Sequence, residues 1–179
     1  MVDIKKQIEE SNAKYNAASK KEKRVMIFKD ILKSIKAAHY IPNTDIYFRL
    51  IKSDKKEKMV ADFNSELTQE NLLSNQIKCK VCIKAAAIIS KQRIGNSIFG
   101  LLDADDFYEG EKIENEISSE KWNLIEELFE NNNWNKDQLH KYIANLSDKE
   151  RMIKICNIII KNDGAIKKSL FTLENFIEA

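Results

Sequence analysis

The sequence predicts a mainly α protein: a compact, single-domain helical bundle around a buried central helix at about residues 79–94, with at most a short strand or extended segment near 45–51. Three observations lead there. Four Gly and one Pro in 179 residues are too few to punctuate the many tight turns of an all-β fold. Apolar residues recur at helical spacing through most of the chain. The window from Ile77 to Leu101 is its most apolar and small-residue-rich stretch, with Cys79, Cys82, Ala86, Ile89 and Arg93 on one helical stripe, Ile83, Ala87 and Ser90 on the next, and three consecutive alanines that let neighbouring helices come close.

Residues 3–18 carry only Ile4, Ile8 and Tyr15 among charges, which predicts a loosely packed N-terminal helix over 1–18. Ser19 and Glu22 form a capping box for a helix over about 20–38, with Val25, Phe28, Ile31, Leu32 and Ile35 inward and Lys20, Lys21, Lys23, Arg24, Lys29, Lys33 and Lys36 on the other side. Pro42 is expected to end it. The β-branched and aromatic run at 45–51 suits a short strand, residues 52–58 a charged turn, and Met59, Val60 and Phe63 a short helix. Thr68 opens another helix through Leu73 that leads to the central stretch.

Residues 101–110 read as a loop, after which Ser118 or Ser119 caps a helix to about Glu130 that buries Trp122, Ile125, Leu128 and Phe129. A short helix follows with Trp134, Leu139, Tyr142, Ile143 and Leu146. Ser147 and Glu150 then box the start of a helix with Ile153, Cys156, Ile159 and Ile160, closed by Asp163-Gly164. The tail keeps Leu170, Phe171, Leu173, Phe176 and Ile177, enough to dock. One domain, residues 1–179, is the expectation for this length.

No run approaches the roughly eighteen apolar residues of a membrane span, and the start lacks the apolar core of a signal peptide. Three cysteines, an odd number, agree with a reducing compartment, so a cytoplasmic location without a membrane partner is expected. Charge is strongly segregated. Residues 1–93 hold 20 Lys and Arg against 11 Asp and Glu, whereas residues 103–130 hold 2 against 11. Such halves attract one another or offer two surfaces to partners.

Cys79-Lys-Val-Cys82 has three readings. It is a buried pair of small apolar side chains, two ligands of a zinc ion completed from Cys156, His39 or His140, or a redox pair. No second C-x-x-C accompanies it. Asp103, Asp105, Asp106, Glu109 and Glu111 resemble a cation loop but miss the EF-hand spacing, since Phe107 occupies the fifth position and Gly110 falls late. The acidic run suits either a solvated loop or a mimic of nucleic-acid charge that enters a partner's basic channel. The cations Lys20, Lys21, Lys23 and Arg24 suit either a solvated helix face or a polyanion surface. His39 and His140 have no triad partners at hand, and phosphate-loop, dinucleotide and H-E-x-x-H patterns are missing from the sequence, which argues against an enzyme.

In the blocks Cys79-Lys-Val-Cys82-Ile-Lys-Ala-Ala, Asn96, Leu124 to Glu130 and Asp148 to Gly164, the chain resembles a group of small helical proteins encoded by phages and mobile elements of low-GC bacteria. Ala85 or Ala86 stands where that group carries a glycine. The resemblance implies a non-enzymatic inhibitor of bacterial immunity, of the anti-CRISPR type, whose partner is a defence protein such as a CRISPR effector or its guide RNA. The charge pattern, and not the resemblance, makes Asp103, Asp105, Asp106, Glu109 and Glu111, or Lys20, Lys21, Lys23 and Arg24, the expected contact residues. The alternatives are a zinc- or thiol-dependent protein centred on Cys79 and Cys82, and a nucleic-acid-binding phage regulator.

Overall fold

A computed structural model of the chain describes residues 4–46, 48–51, 57–58, 68–73, 77–95, 116–131 and 137–179. The protein is mainly α, with a small sheet of short strands. Helix α1 (Ile4–Ala17) buries only Tyr15, as its sparse apolar pattern foretells. Helix α2 (Lys20–Lys36) begins with both arms of the capping box: Glu22 N–H donates to Ser19 Oγ at 3.3 Å and Ser19 N–H to Glu22 Oε2 at 2.7 Å.

Pro42 does not end α2. The helix stops at Lys36 in a Schellman turn, where His39 N–H donates to Ser34 O at 2.9 Å, Ala38 N–H donates to Ile35 O at 3.1 Å, and Ala38 adopts φ +57°. The chain then enters strand β1 (Tyr40–Pro42), an edge strand in which proline withholds no needed donor. The short strand expected near 45–51 is β2 (Phe48–Ile51), and it does not stand alone. With β3 (Glu57–Lys58) and β4 (Lys78–Val81) it forms a sheet of order β1-β4-β2-β3, parallel between β1 and β4 and antiparallel elsewhere. Helix α3 (Gln69–Leu73) lies between β3 and β4 in the chain.

The central helix, α4, runs from Ile83 to Gly95 rather than from Cys79, because the residues before it follow a period of two. Lys78 and Lys80 face outward while Cys79 and Val81 are buried, and β4 finds a partner on each side: Cys79 lies opposite both Tyr40 and Leu50. A helical stripe and an alternating strand both place Cys79 and Val81 inside, so burial alone did not separate them. The rest of α4 is as dry as its composition suggests. Ile83, Ala85, Ala86 and Ala87 are fully buried, and α4 packs on α2.

Helices α5 (Ser119–Glu130), α6 (Gln138–Ala144), α7 (Asp148–Lys161) and α8 (Leu173–Glu178) complete the body. Trp122, Ile125, Leu128 and Phe129 of α5 are inside, as are Phe171 and Phe176 of the tail. A capping box starts α7, and a second Schellman turn ends it, with Asp163 at φ +51° and Gly164 N–H donating to Ile159 O at 2.8 Å. The most buried residues of α7 are Met152, Ile155, Cys156 and Ile159, while the expected core positions Ile153 and Ile160 lie at the margin. Helix α2 packs on both α4 and α7, so the two share the middle of the molecule with it. No helix among the described residues is long and apolar enough to cross a membrane. The short helix expected at 59–63, the loop at 101–110 and Trp134 lie outside the described residues.

Candidate functional site

The basic helix is the one sequence-derived surface whose geometry can be followed in full, and the fold divides its cations. Arg24 does not belong to the outer face: it is 8% exposed, its Nε donates to Gly164 O at 2.5 Å and its Nη1 to Glu116 O at 2.6 Å. It fastens the turn after α7 and the start of the segment before α5 to α2. Lys23 folds over the Tyr15 ring, 5.2 Å from its centroid. Lys20 and Lys21 remain exposed at the first turn.

Three lysines that the capping-box region overshadowed form the true outward stripe. Lys29, Lys33 and Lys36 are all exposed, and their spacings of four and three put them on one side of α2. None forms an ion pair with a described carboxylate. The other side of the same helix is fixed in the interior. Arg93 of α4 donates from Nε to Asp30 Oδ2 at 3.0 Å, from Nη2 to the same oxygen at 2.5 Å, and from Nη2 to Ser34 Oγ. Its guanidinium also lies 5.5 Å from the Tyr40 ring centroid. The lysine stripe is therefore presented by a helix that cannot easily roll.

Both thiols of the C-x-x-C pair are inside. Cys79 packs under the sheet between Tyr40 and Leu50, and burial pushes its thiol up to about 12. Cys82 takes the cap position of α4: its Sγ accepts from Ala85 N–H at 3.4 Å, and burial raises its thiol to about 12 against the pull of the Ala85 and Lys84 amides. Thiols held neutral in this way are poor nucleophiles. Cys156 is buried in α7, and burial raises its thiol as well. Among the described residues no three His, Cys, Asp or Glu side chains gather as a metal site. The strand before Cys82 and the helix after it do supply the strand-to-helix setting that a redox pair uses, a feature the poor strand character of residues 75–78 hid.

His39 is half-buried after the α2 turn, its charged form disfavoured by burial and by nearby Arg93 and Lys78. His140 sits in the first turn of α6, with Nδ1 2.8 Å from Asp137 Oδ1. His39 and Cys79 are joined through the backbone, Cys79 N–H donating to His39 O at 2.7 Å, while among the described residues no side-chain hydrogen bond links either imidazole to a thiol. Asp103, Asp105, Asp106, Glu109 and Glu111 lie outside the described residues. The acidic stretch re-enters at Glu116, where a cation is spent on it: Lys91 Nζ reaches Glu116 Oε2 at 2.9 Å with both side chains buried. Further along, Glu126 meets Lys84 at 4.0 Å, and burial raises its carboxyl. Comparison of the chain with protein-family models, with curated proteins and with solved structures finds no match.

Proposed function

We propose that this chain is a non-enzymatic interaction protein of phage or prophage origin that binds and inhibits a bacterial defence nuclease complex, and that α2 meets the nucleic acid carried by that complex. The observation that carries the reading is the exposed stripe Lys29, Lys33 and Lys36 on one side of α2. Lys29 and Lys36 lie about 10 Å apart along the axis at helical rise, a span that follows a phosphate backbone. The cations need no further desolvation to act. They release counterions from the backbone they meet, which supplies affinity without base recognition.

A fluorescein-labelled RNA duplex tests this by fluorescence anisotropy over a salt series. The wild-type chain is expected to bind with an affinity that falls as salt rises, with a log–log slope of about −2 to −3 for three lysine contacts. The Lys29→Glu/Lys33→Glu/Lys36→Glu variant should lose at least about tenfold in affinity, and should also fail to inhibit a purified RNA-guided nuclease that the wild type inhibits. Its thermal unfolding should stay within a few degrees of wild type. If the triple variant binds and inhibits as before, the reading fails for α2. If charge removal at Asp105, Asp106, Glu109 and Glu111 then abolishes inhibition, the contact belongs to the acidic run instead.

A further inference from the structure

A second surface, remote in sequence from the lysine stripe, has a different chemistry. A cleft of about 310 Å³ opens between the last turns of α7 and of α8, lined by Asn157, Asn162, Asn175, Ile160 and the pair Lys161–Glu178. The three asparagines are committed in the same way. Asn157 Nδ2 donates to Ala179 O at 2.8 Å, Asn162 Nδ2 to Ile158 O at 2.8 Å and Asn175 Nδ2 to Leu170 O at 2.7 Å. A backbone carbonyl can only accept, so each bond fixes which end of the amide is nitrogen.

The amide oxygens are left over. No described group donates to the Oδ1 atom of any of the three, and none of these atoms is sealed from solvent. The cleft is therefore lined by three residues whose amide oxygens remain unspent acceptors. It also lies at the carbonyl ends of two helices, where the partial charge is negative. Lys161 is the local cation, but its ammonium is tied to Glu178 at 2.9 Å in a pair more than half exposed, which is weak and easily rearranged. Ile160 adds an apolar wall.

We propose that this cleft binds a small primary alkylammonium compound of the diamine class. An ammonium group has N–H donors and no acceptor, which suits a lining whose unspent polar atoms are amide oxygens, and two such groups on a short methylene stem suit asparagines set five residues apart at the end of α7 as well as the isoleucine wall. A quaternary ammonium of the same charge has no N–H to give. The site is independent of α2 and of the nuclease reading.

The test is a titration of the full chain, observed through its side-chain amide NMR signals, with 1,4-diaminobutane and, at equal ionic strength, with its permethylated analogue 1,4-bis(trimethylammonio)butane, which carries the same two charges. Saturable shifts at Asn157, Asn162 and Asn175 with the diamine alone are expected. Asn162→Leu, which gives up only a bond to its own helix, should weaken diamine binding by about tenfold, the value of one hydrogen bond to a charged group, and Asn157→Leu should do likewise. Lys161→Met should tighten it several-fold by removing a competing cation. Equal shifts with the bis(trimethylammonio) analogue, or wild-type affinity in both leucine variants, overturn the proposal.

Discussion

The two sides of α2 carry similar side chains and use them in opposite ways. Inward, Arg24 holds two backbone carbonyls and Asp30 with Ser34 grips Arg93, all at or near the dry centre of the molecule. Outward, Lys29, Lys33 and Lys36 stand in water without an ion pair to a described carboxylate. The difference teaches that a charged residue on an amphipathic helix is classified by its angle and by what the neighbouring elements need, and not by its charge. An arginine can reach past the apolar rim and satisfy carbonyls that a chain turn leaves unpaired, because its fork presents several donors at once. A lysine is better suited to open water.

The largest effect should come from the inward side. Arg93→Met leaves the Asp30 carboxylate, 11% exposed at the side chain, without its partner. Breaking a buried pair from one end costs about 3–5 kcal/mol, a large part of an ordinary domain's stability, and urea unfolding followed by circular dichroism would read it. Asp30→Asn in the same chain should recover part of the loss, since the uncompensated charge goes. Lys29→Met on the outward side should move stability by no more than about 0.5 kcal/mol. Equal losses for Arg93→Met and Lys29→Met would erase the distinction between the two sides.

A smaller loss is expected where the turn after α7 touches α2. Gly164 has φ +74°, and a Cβ added there would sit 2.4 Å from Lys21 O and 3.2 Å from Arg24 Cβ. The first obstacle is backbone and cannot rotate away. Gly164→Ala should cost about 2–4 kcal/mol, the left-handed penalty plus an overpacked contact. Because Gly164 O is also the acceptor for Arg24 Nε, the same variant should expose Arg24 and speed hydrogen exchange at the segment it fastens. A Gly164→Ala chain as stable as wild type would mean that the inward arginine contact tolerates slack, and the comparison would weaken accordingly.

Much of this arrangement is legible in the sequence, and what is not has specific causes. Ser19 with Glu22 and Ser147 with Glu150 announce two helix starts because a capping box is a local pattern, complete within four residues. The α5 core of Trp122, Ile125, Leu128 and Phe129 follows from helical period alone. The sheet is harder. Its strands are two to four residues long and its partners far apart in the chain, so Cys79 looked like the first turn of a helix until Tyr40 and Leu50 took their places beside it. Arg24 reads as a surface cation in the sequence because the carbonyls it serves belong to Gly164 and Glu116, 140 and 92 residues away. The asparagine cleft had no sequence signal. Asn157, Asn162 and Asn175 acquire a common role only when α8 folds back on α7, and asparagine is as ordinary in a solvated helix end as in a site.

The smallest predicted effect is a gain, at the other end of α2. Two Schellman turns close α2 and α7, and both put a residue other than glycine in the left-handed region: Ala38 at φ +57° and Asp163 at φ +51°. Aspartate tolerates that conformation better than alanine, whose Cβ crowds the following carbonyl at a cost of about 1–2 kcal/mol. Ala38 is exposed, so nothing depends on its methyl. Ala38→Gly removes the strain and returns some of it as extra freedom of the unfolded chain, about 0.4–1 kcal/mol. The net should be a stabilisation of about 0.5–1 kcal/mol, or roughly 1–4 °C in unfolding temperature for a domain of this size. Because the turn holds the last lysine of the outward stripe, the variant separates two properties that the rest of α2 keeps together: the helix should become more stable while RNA binding through Lys29, Lys33 and Lys36 stays at the wild-type level. A lower melting temperature would show that α2 ends on something other than this turn, and altered binding would show that the frame of the helix, as well as its lysines, takes part in the contact.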